Sequence, residues 1–324
     1  MAVVKLSSKP PRLGLFTVGP QGGRGLRLAG GGLRSRPLVN YFSPVSWSPD
    51  GATVAFSGVV GFKGGDGAEP IAKLFLVGAD GTGLRPIRGT KDATGPVFSP
   101  DGRTIAFTRS IDRPSPTTVA GKYWEEGFSG SSTWTIDLAT GSQRRLTPSR
   151  HELRYVASSF SPDGSTLLAT VEDDLLTNEP QPVALRIDGS GSRILFEDGS
   201  APVYSPDGSK VAFTRRIQYF GEDGGEDVDL FVIDADGGGL RRLTRTPGRP
   251  ELYPGWDPSG ERLAYVRLSA MRSEEAPFGF RTALMHVNAD GSCETTVVSA
   301  RRTFFFGPVW QPGPGRGAGR IECR

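Results

Sequence analysis

Apolar residues in this chain alternate with polar ones in short runs, and the runs come in pairs. Val54 and Phe56, Ile105 and Phe107, Val211 and Phe213, and Leu263 and Tyr265 each stand two apart. That is the period of a strand with one face packed. Each run follows a tight turn: Trp47-Ser48-Pro49-Asp50-Gly51, Phe98-Ser99-Pro100-Asp101-Gly102, Phe160-Ser161-Pro162-Asp163-Gly164 and Tyr204-Ser205-Pro206-Asp207-Gly208. Worn copies stand at Trp256-Asp257-Pro258-Ser259-Gly260 and Trp310-Gln311-Pro312-Gly313. Proline presets φ for the turn, Ser and Asp bond nearby backbone N–H groups, and Gly takes the positive φ that returns the chain. Each copy therefore predicts a β-hairpin.

A second hairpin alternates with the first. Leu74-Phe75-Leu76-Val77 runs through Ala79-Asp80-Gly81 to Leu84, and Leu230-Phe231-Val232-Ile233 through Ala235-Asp236-Gly237 to Leu240 and Leu243. Weaker versions run from Trp134 to Thr147, Ala184 to Leu195 and Leu284 to Val297, with one more at the start, from Leu15 to Leu28. A unit of two hairpins repeating every 44 to 62 residues predicts an all-β fold, a six-bladed β-propeller of four-stranded antiparallel blades.

The ends of the chain are complementary. Residues 13–29 form a second hairpin with no first, and residues 307–324 a first hairpin with no second, its strands at 307–310 and 320–323. Pairing of N-terminal and C-terminal strands then closes the ring, with residues 1–12 a flexible tail and 13–324 a single domain. The other blades fall near 41–88, 95–147, 155–196, 201–244 and 253–298. All short turns lie on one face of the disc because strands alternate in direction. The long connections lie on the other, where binding usually sits.

Composition narrows the function classes. With 38 basic and 35 acidic residues the net charge is +3. That gives no basic stripe for nucleic acid. The 45 Gly and 26 Pro serve the turns. There is no signal-peptide core and no apolar run long enough for membrane insertion, so the default compartment is cytoplasmic. Two cysteines make neither a disulfide framework nor a zinc site. Cys323 reads as core and Cys293 as incidental, with a bridge between them the less favoured alternative. No cofactor and no metal are expected.

The pattern aromatic-Ser-Pro-Asp-Gly-x-x-apolar-Ala-Phe, followed by apolar-x-Val-x-Asp-Ala-Asp-Gly-Gly and Arg-Arg-Leu-Thr, resembles the TolB-like, WD-like propeller repeat over residues 13–324. The resemblance implies a six-bladed propeller and a protein-binding role, often periplasmic or exported. Two departures stand out: no room for the additional α/β domain of TolB-like proteins, and no Gly-x-Ser-x-Gly elbow of the propeller-gated peptidases, whose repeats are similar.

Candidate site residues cluster towards the long-loop face. Arg109, Arg215 and Arg267 occupy one position in three blades and could meet an anionic ligand; the alternative is pairing with local acids such as Asp112 or Asp227. Tyr123 and Trp124 form an aromatic pair on the longest insertion, with Tyr155, Tyr219, Phe220 and Tyr253 in neighbouring connections. His151 beside Glu152, and Arg154 close by, complete the set, while His286 inside a strand reads as packing. No catalytic residue is assigned. The expected activity is a non-catalytic, monomeric scaffold for a protein or peptide partner. A carbohydrate-active hydrolase or lyase using Glu125, Glu126, Asp173 or Asp174 is the alternative.

Overall fold

A computed structural model describes residues 1–8, 11–19, 25–32, 38–39, 44–63, 69–111, 130–148, 150, 153–173, 179–217, 227–270, 280–301 and 303–312. Among them the chain forms six antiparallel sheets, numbered here I to VI. Sheet II takes its strands in chain order, Ala93–Phe98, Thr104–Ser110, Ser131–Asp137 and Gln143–Arg145. Sheets III (Leu153–Phe160 to Ser192–Ile194), IV (Ser200–Tyr204 to Arg241–Arg242) and V (Glu251–Trp256 to Thr295–Arg301) repeat this order. In sheet I two short segments, Leu38–Val39 and Ser46–Trp47, lie end to end along Thr53–Lys63, followed by Glu69–Gly78 and Arg85–Pro86. Each sheet packs on the next, and sheet VI packs on both V and I. The fold is an all-β propeller of four-stranded antiparallel blades.

Sheet VI departs from the expected chain path. Its order is Thr303–Val309, Ala2–Ser8, Pro11–Thr17, Arg27–Gly32. The N-terminal and C-terminal strands do pair, Ala2 opposite Val309 and Lys5 opposite Phe305. However, the residues read as a flexible tail, 1–12, supply the strand, and the strand expected at 320–323 lies outside the described residues. The physical reason is in Ala2-Val3-Val4-Lys5-Leu6, a β-prone apolar run adjoining the hairpin it must join. It enters antiparallel to Pro11–Thr17. Ala2 is fully buried.

The core is divided into slabs between neighbouring sheets, because strand residues alternate in direction and both faces are covered. Val54 and Phe56 face sheet VI, packing with Leu15 and Leu28, whereas Ala55 between them faces sheet II with Ile105 and Phe107. Ala106, Ala212 and Ala264 repeat the role of Ala55, each fully buried against the following sheet. Close approach there needs a small residue. His286 is buried as expected, stacked 4.8 Å from Trp310. Burial holds its imidazole down to about 4, so it stays neutral.

The repeated turn works as a closed polar unit. Ser99 Oγ donates to Asp101 Oδ1 at 2.6 Å and accepts from Thr104 N at 3.0 Å, while Asp101 Oδ1 takes Arg103 N at 3.0 Å. Ser48/Asp50, Ser161/Asp163 and Ser205/Asp207 repeat these bonds. The serine bond is the main cause holding these aspartates below the usual carboxylate range, so they serve the turns. Neighbouring turns also touch. A Cβ on Gly102, whose φ is 70°, would stand 3.3 Å from Pro49 Cδ, and one on Gly208, φ 74°, 3.1 Å from Pro162. At the worn copy Gln311 Nε2 donates to Gly51 O at 2.7 Å and completes the circle.

Candidate functional site: the axial channel

The first strand of each sheet is innermost, and four of them share a pattern that lies just before the repeated turn. It reads Gly95-Pro96-Val97-Phe98, Ala201-Pro202-Val203-Tyr204, Tyr253-Pro254-Gly255-Trp256 and Gly307-Pro308-Val309-Trp310. The residue before each proline has positive φ: 60° at Gly95, 51° at Ala201, 59° at Tyr253 and 50° at Gly307. Strand pairing shifts register at the same places. These are β-bulges, which bend a strand and re-aim its side chains. Proline suits them because the inner edge of an innermost strand has no ladder partner to donate to.

The bulged strands enclose a cavity of about 270 Å³ on the propeller axis, to which all six sheets contribute. Pro44, Val97, Val156, Val203, Pro254 and Val309 make the wall apolar. Charge enters at the end where the long connections leave. Arg154 and Glu172, opposite each other in sheet III, pair at 3.4 Å and are 47% and 34% exposed. Tyr253 lines the same cavity. Burial raises its phenol, against the pull of Arg154, so it stays neutral and able to hydrogen-bond. An apolar shaft with a few convergent polar groups is the usual composition of a ligand site. Here the polar groups can take both a backbone and a charged side chain.

Of the sequence candidates, Arg154 and Tyr253 come together on this channel. Tyr155 lies at the seam of sheets II and III, its backbone N and O both bonded to Ser131 Oγ. Tyr123, Trp124, His151, Tyr219 and Phe220 lie outside the described residues, as do Glu125, Glu126 and Asp174. The inner proline pattern escaped the sequence reading, although a proline two residues before the aromatic in four copies was a signal for it.

The three repeated arginines are each engaged within their own blade, at the link entering it. Arg109 Nη2 donates to Gly89 O and Gln143 Oε1, both at 2.9 Å, and its guanidinium lies 4.6 Å from the Trp134 ring. Arg215 donates to Asp198 O at 2.9 Å and Glu197 O at 3.0 Å, and pairs with the Asp198 carboxylate at 3.4 Å. Arg267 Nε donates to Glu251 Oε1 at 2.9 Å and Nη1 to Glu294 Oε2 at 2.8 Å. Arg109 and Arg215, lying back over aromatic residues of their own sheet, reach the backbone of the preceding link, whereas Arg267 reaches the carboxylates of Glu251 and Glu294 in its own blade. The acids that Arg215 and Arg267 meet are Asp198, Glu251 and Glu294. Among the described residues no group of three or more His, Cys, Asp or Glu is placed to hold a metal ion.

Fold and channel together define a β-propeller with an axial site. The chain is similar to TolB propellers in part of its sequence and in its fold. Over 132 residues it is 34% identical to the Tol-Pal system protein TolB of Anaeromyxobacter dehalogenans, a match covering 39% of this chain and 27% of that one. It thus spans about a quarter of that relative. TolB from Acinetobacter baumannii superposes with a TM-score of 0.68 at 20% identity, over 96% of this chain and 66% of that chain. A TolB candidate from Agrobacterium tumefaciens gives 0.61 at 16% identity, over 96% and 94%. No family model matches.

Proposed function

We propose that this chain is a six-bladed binding scaffold that receives an extended segment of a protein partner in its axial channel, entering past Arg154, Glu172 and Tyr253. The observation that carries this reading is a shaft built by all six sheets, apolar along its wall and charged at one end. A bound segment would be read by packing against this wall and by the charges at the mouth. The name of the curated relative, a Tol-Pal system protein, supports a protein partner. No helix among the described residues is long and apolar enough to cross a membrane. The near balance of charge supports neither a nucleic-acid partner nor strong steering.

The test is selection of peptides from a random display library on the immobilised protein. Two channel variants serve as controls: Ser158→Trp, which fills the shaft, and Arg154→Glu, which reverses the charge at its mouth. Selected peptides should lose at least tenfold in affinity for both variants while thermal melting stays within about 2 °C of wild type. Peptides that bind wild type and both variants equally would sink the channel reading.

A further inference from the structure

The outermost strand of a propeller blade has an edge of backbone N–H and C=O groups with no ladder partner, and such an edge is a template for another strand. Four of the six blades blunt it. Arg85–Pro86, Gln143–Arg145, Ser192–Ile194 and Arg241–Arg242 are two or three residues long, and each carries arginine. Pro86 also removes a donor. In sheet VI the outer strand Arg27–Gly32 opens on arginine and ends in three glycines, with Gly30 at φ 85°, a composition that holds a strand poorly.

Sheet V breaks this pattern. Its outer strand Thr295–Arg301 is seven residues long, Thr-Thr-Val-Val-Ser-Ala-Arg, β-branched over its first four positions and uncharged until its last. It pairs on one side with Phe280–Asn288, and among the described residues no strand pairs with the other side. Thr295, Thr296 and Ser299 are exposed, while Val297 and Val298 are half-buried against the core beneath. The one interruption is a register shift between Leu284 and Met285 that leaves Val297 in a bulge. A bulge twists an edge but puts no charge on it. The blade does not need the length, since four others pack with two or three residues at this place.

We propose that this edge is a contact between two copies of the chain, Thr295–Arg301 of one pairing antiparallel with the same strand of the other, in place of the monomer expected from the sequence. The placement of charge selects this occupant. Glu294 immediately precedes the strand and Arg301 ends it. A two-fold axis through the middle of the strand brings Glu294 of one copy to the end where Arg301 of the other lies. It also sets the two Arg301 positions at opposite ends, about 20 Å apart. The Glu294 carboxylate is bonded to Arg267 yet 32% exposed, so it can take a second cation. Between those ends the strand offers only Thr, Val, Ser and Ala, so no like charges oppose each other. The contact is isologous and closes at two copies. It joins two four-stranded blades into one eight-stranded sheet. Because the strand lies on the circumference of the disc and the axis reverses it, the two axial channels run side by side in opposite directions with their mouths open. A single strand edge is a small interface, so association is weak, half complete on the order of 100 µM.

The test follows the mass of the full chain by sedimentation velocity from about 5 µM to about 1 mM, and compares amide hydrogen exchange at the two extremes. A dimer is expected at the upper end. Every second amide of Thr295–Arg301 should exchange about threefold slower or more than in dilute protein, while those of Arg241–Arg242 stay unchanged. Thr295→Arg combined with Ser299→Lys gives sheet V the charged edge of its neighbours at two exposed positions. This variant should remain a monomer up to about 1 mM and, when dilute, melt within about 2 °C of wild type. A wild-type chain that stays monomeric at every concentration would leave the edge to a different protein's strand and overturn the proposal. So would a dimer whose Thr295–Arg301 amides exchange as fast as in dilute protein, or a double variant that dimerises like wild type.

Discussion

Arg109 and Arg267 occupy one position in the repeat, yet the two blades treat them differently. In sheet II, Arg109 meets neutral acceptors, the Gly89 carbonyl and the Gln143 amide, and lies over the rings of Phe107 and Trp134. In sheet V, Arg267 sits between two glutamates, with Tyr265 donating to Glu294 and Thr246 and Thr244 donating to Glu251. Asp229 and Arg242 of sheet IV pair beside it. Glu251 is fully buried. The same side chain thus fastens one link with dipoles and another with charge. The lesson is that a repeated residue conserves a geometric task, clamping the link into its blade, while neighbours decide what the clamp costs to lose.

Replacing both arginines tests this contrast most directly. Arg267→Met strands Glu251 in a buried site and should cost about 3–5 kcal/mol at pH 8, read by denaturant unfolding. Because Glu251 can take up a proton, the cost should be smaller at pH 6. Equal losses at the two pH values would contradict charge as the basis of the sheet V clamp.

The pH response of wild type is the next largest effect. Burial pushes the Glu251 carboxyl up to about 7, against the pull of its threonine and Arg267 bonds. With its folded value above the unfolded one near 4.5, the folded state holds the proton more tightly in between. The stability this contributes is whole below about pH 4.5 and is lost as pH rises through about 7. Glu251→Gln should flatten that slope in melting measured from pH 5 to 8; an unchanged slope would assign it to other groups. Smallest is Arg109→Met, which keeps the stem over Trp134 and leaves only neutral acceptors unfilled. It should cost about 1 kcal/mol with no pH dependence. A loss as large as that of Arg267→Met would erase the distinction.

Much of this architecture was legible beforehand because it is local. A turn such as Ser99 to Thr104 is closed by bonds between residues five apart or fewer, so its sequence carries its own geometry. The channel was half legible. Arg154 and Tyr253 were picked out by their place in the chain, but the bulges that set the shaft appear only as a proline two residues before an aromatic. That signal acquires meaning once the first strand is known to be innermost.

By itself the sequence determined the hairpins, their turns, the all-β class and the meeting of the two ends, since each follows from period-two alternation and turn chemistry. Only the tertiary structure decided that Ala2–Ser8 fills the closing sheet, that each repeated arginine clamps a link, and that Cys293 is bonded. The physical reason is one of range. Alternation says that a strand will pair, but the edge it pairs with depends on which edge the rest of the ring leaves open. Likewise a residue type names a charge, while its surroundings, assembled from segments far apart in the chain, set what that charge does.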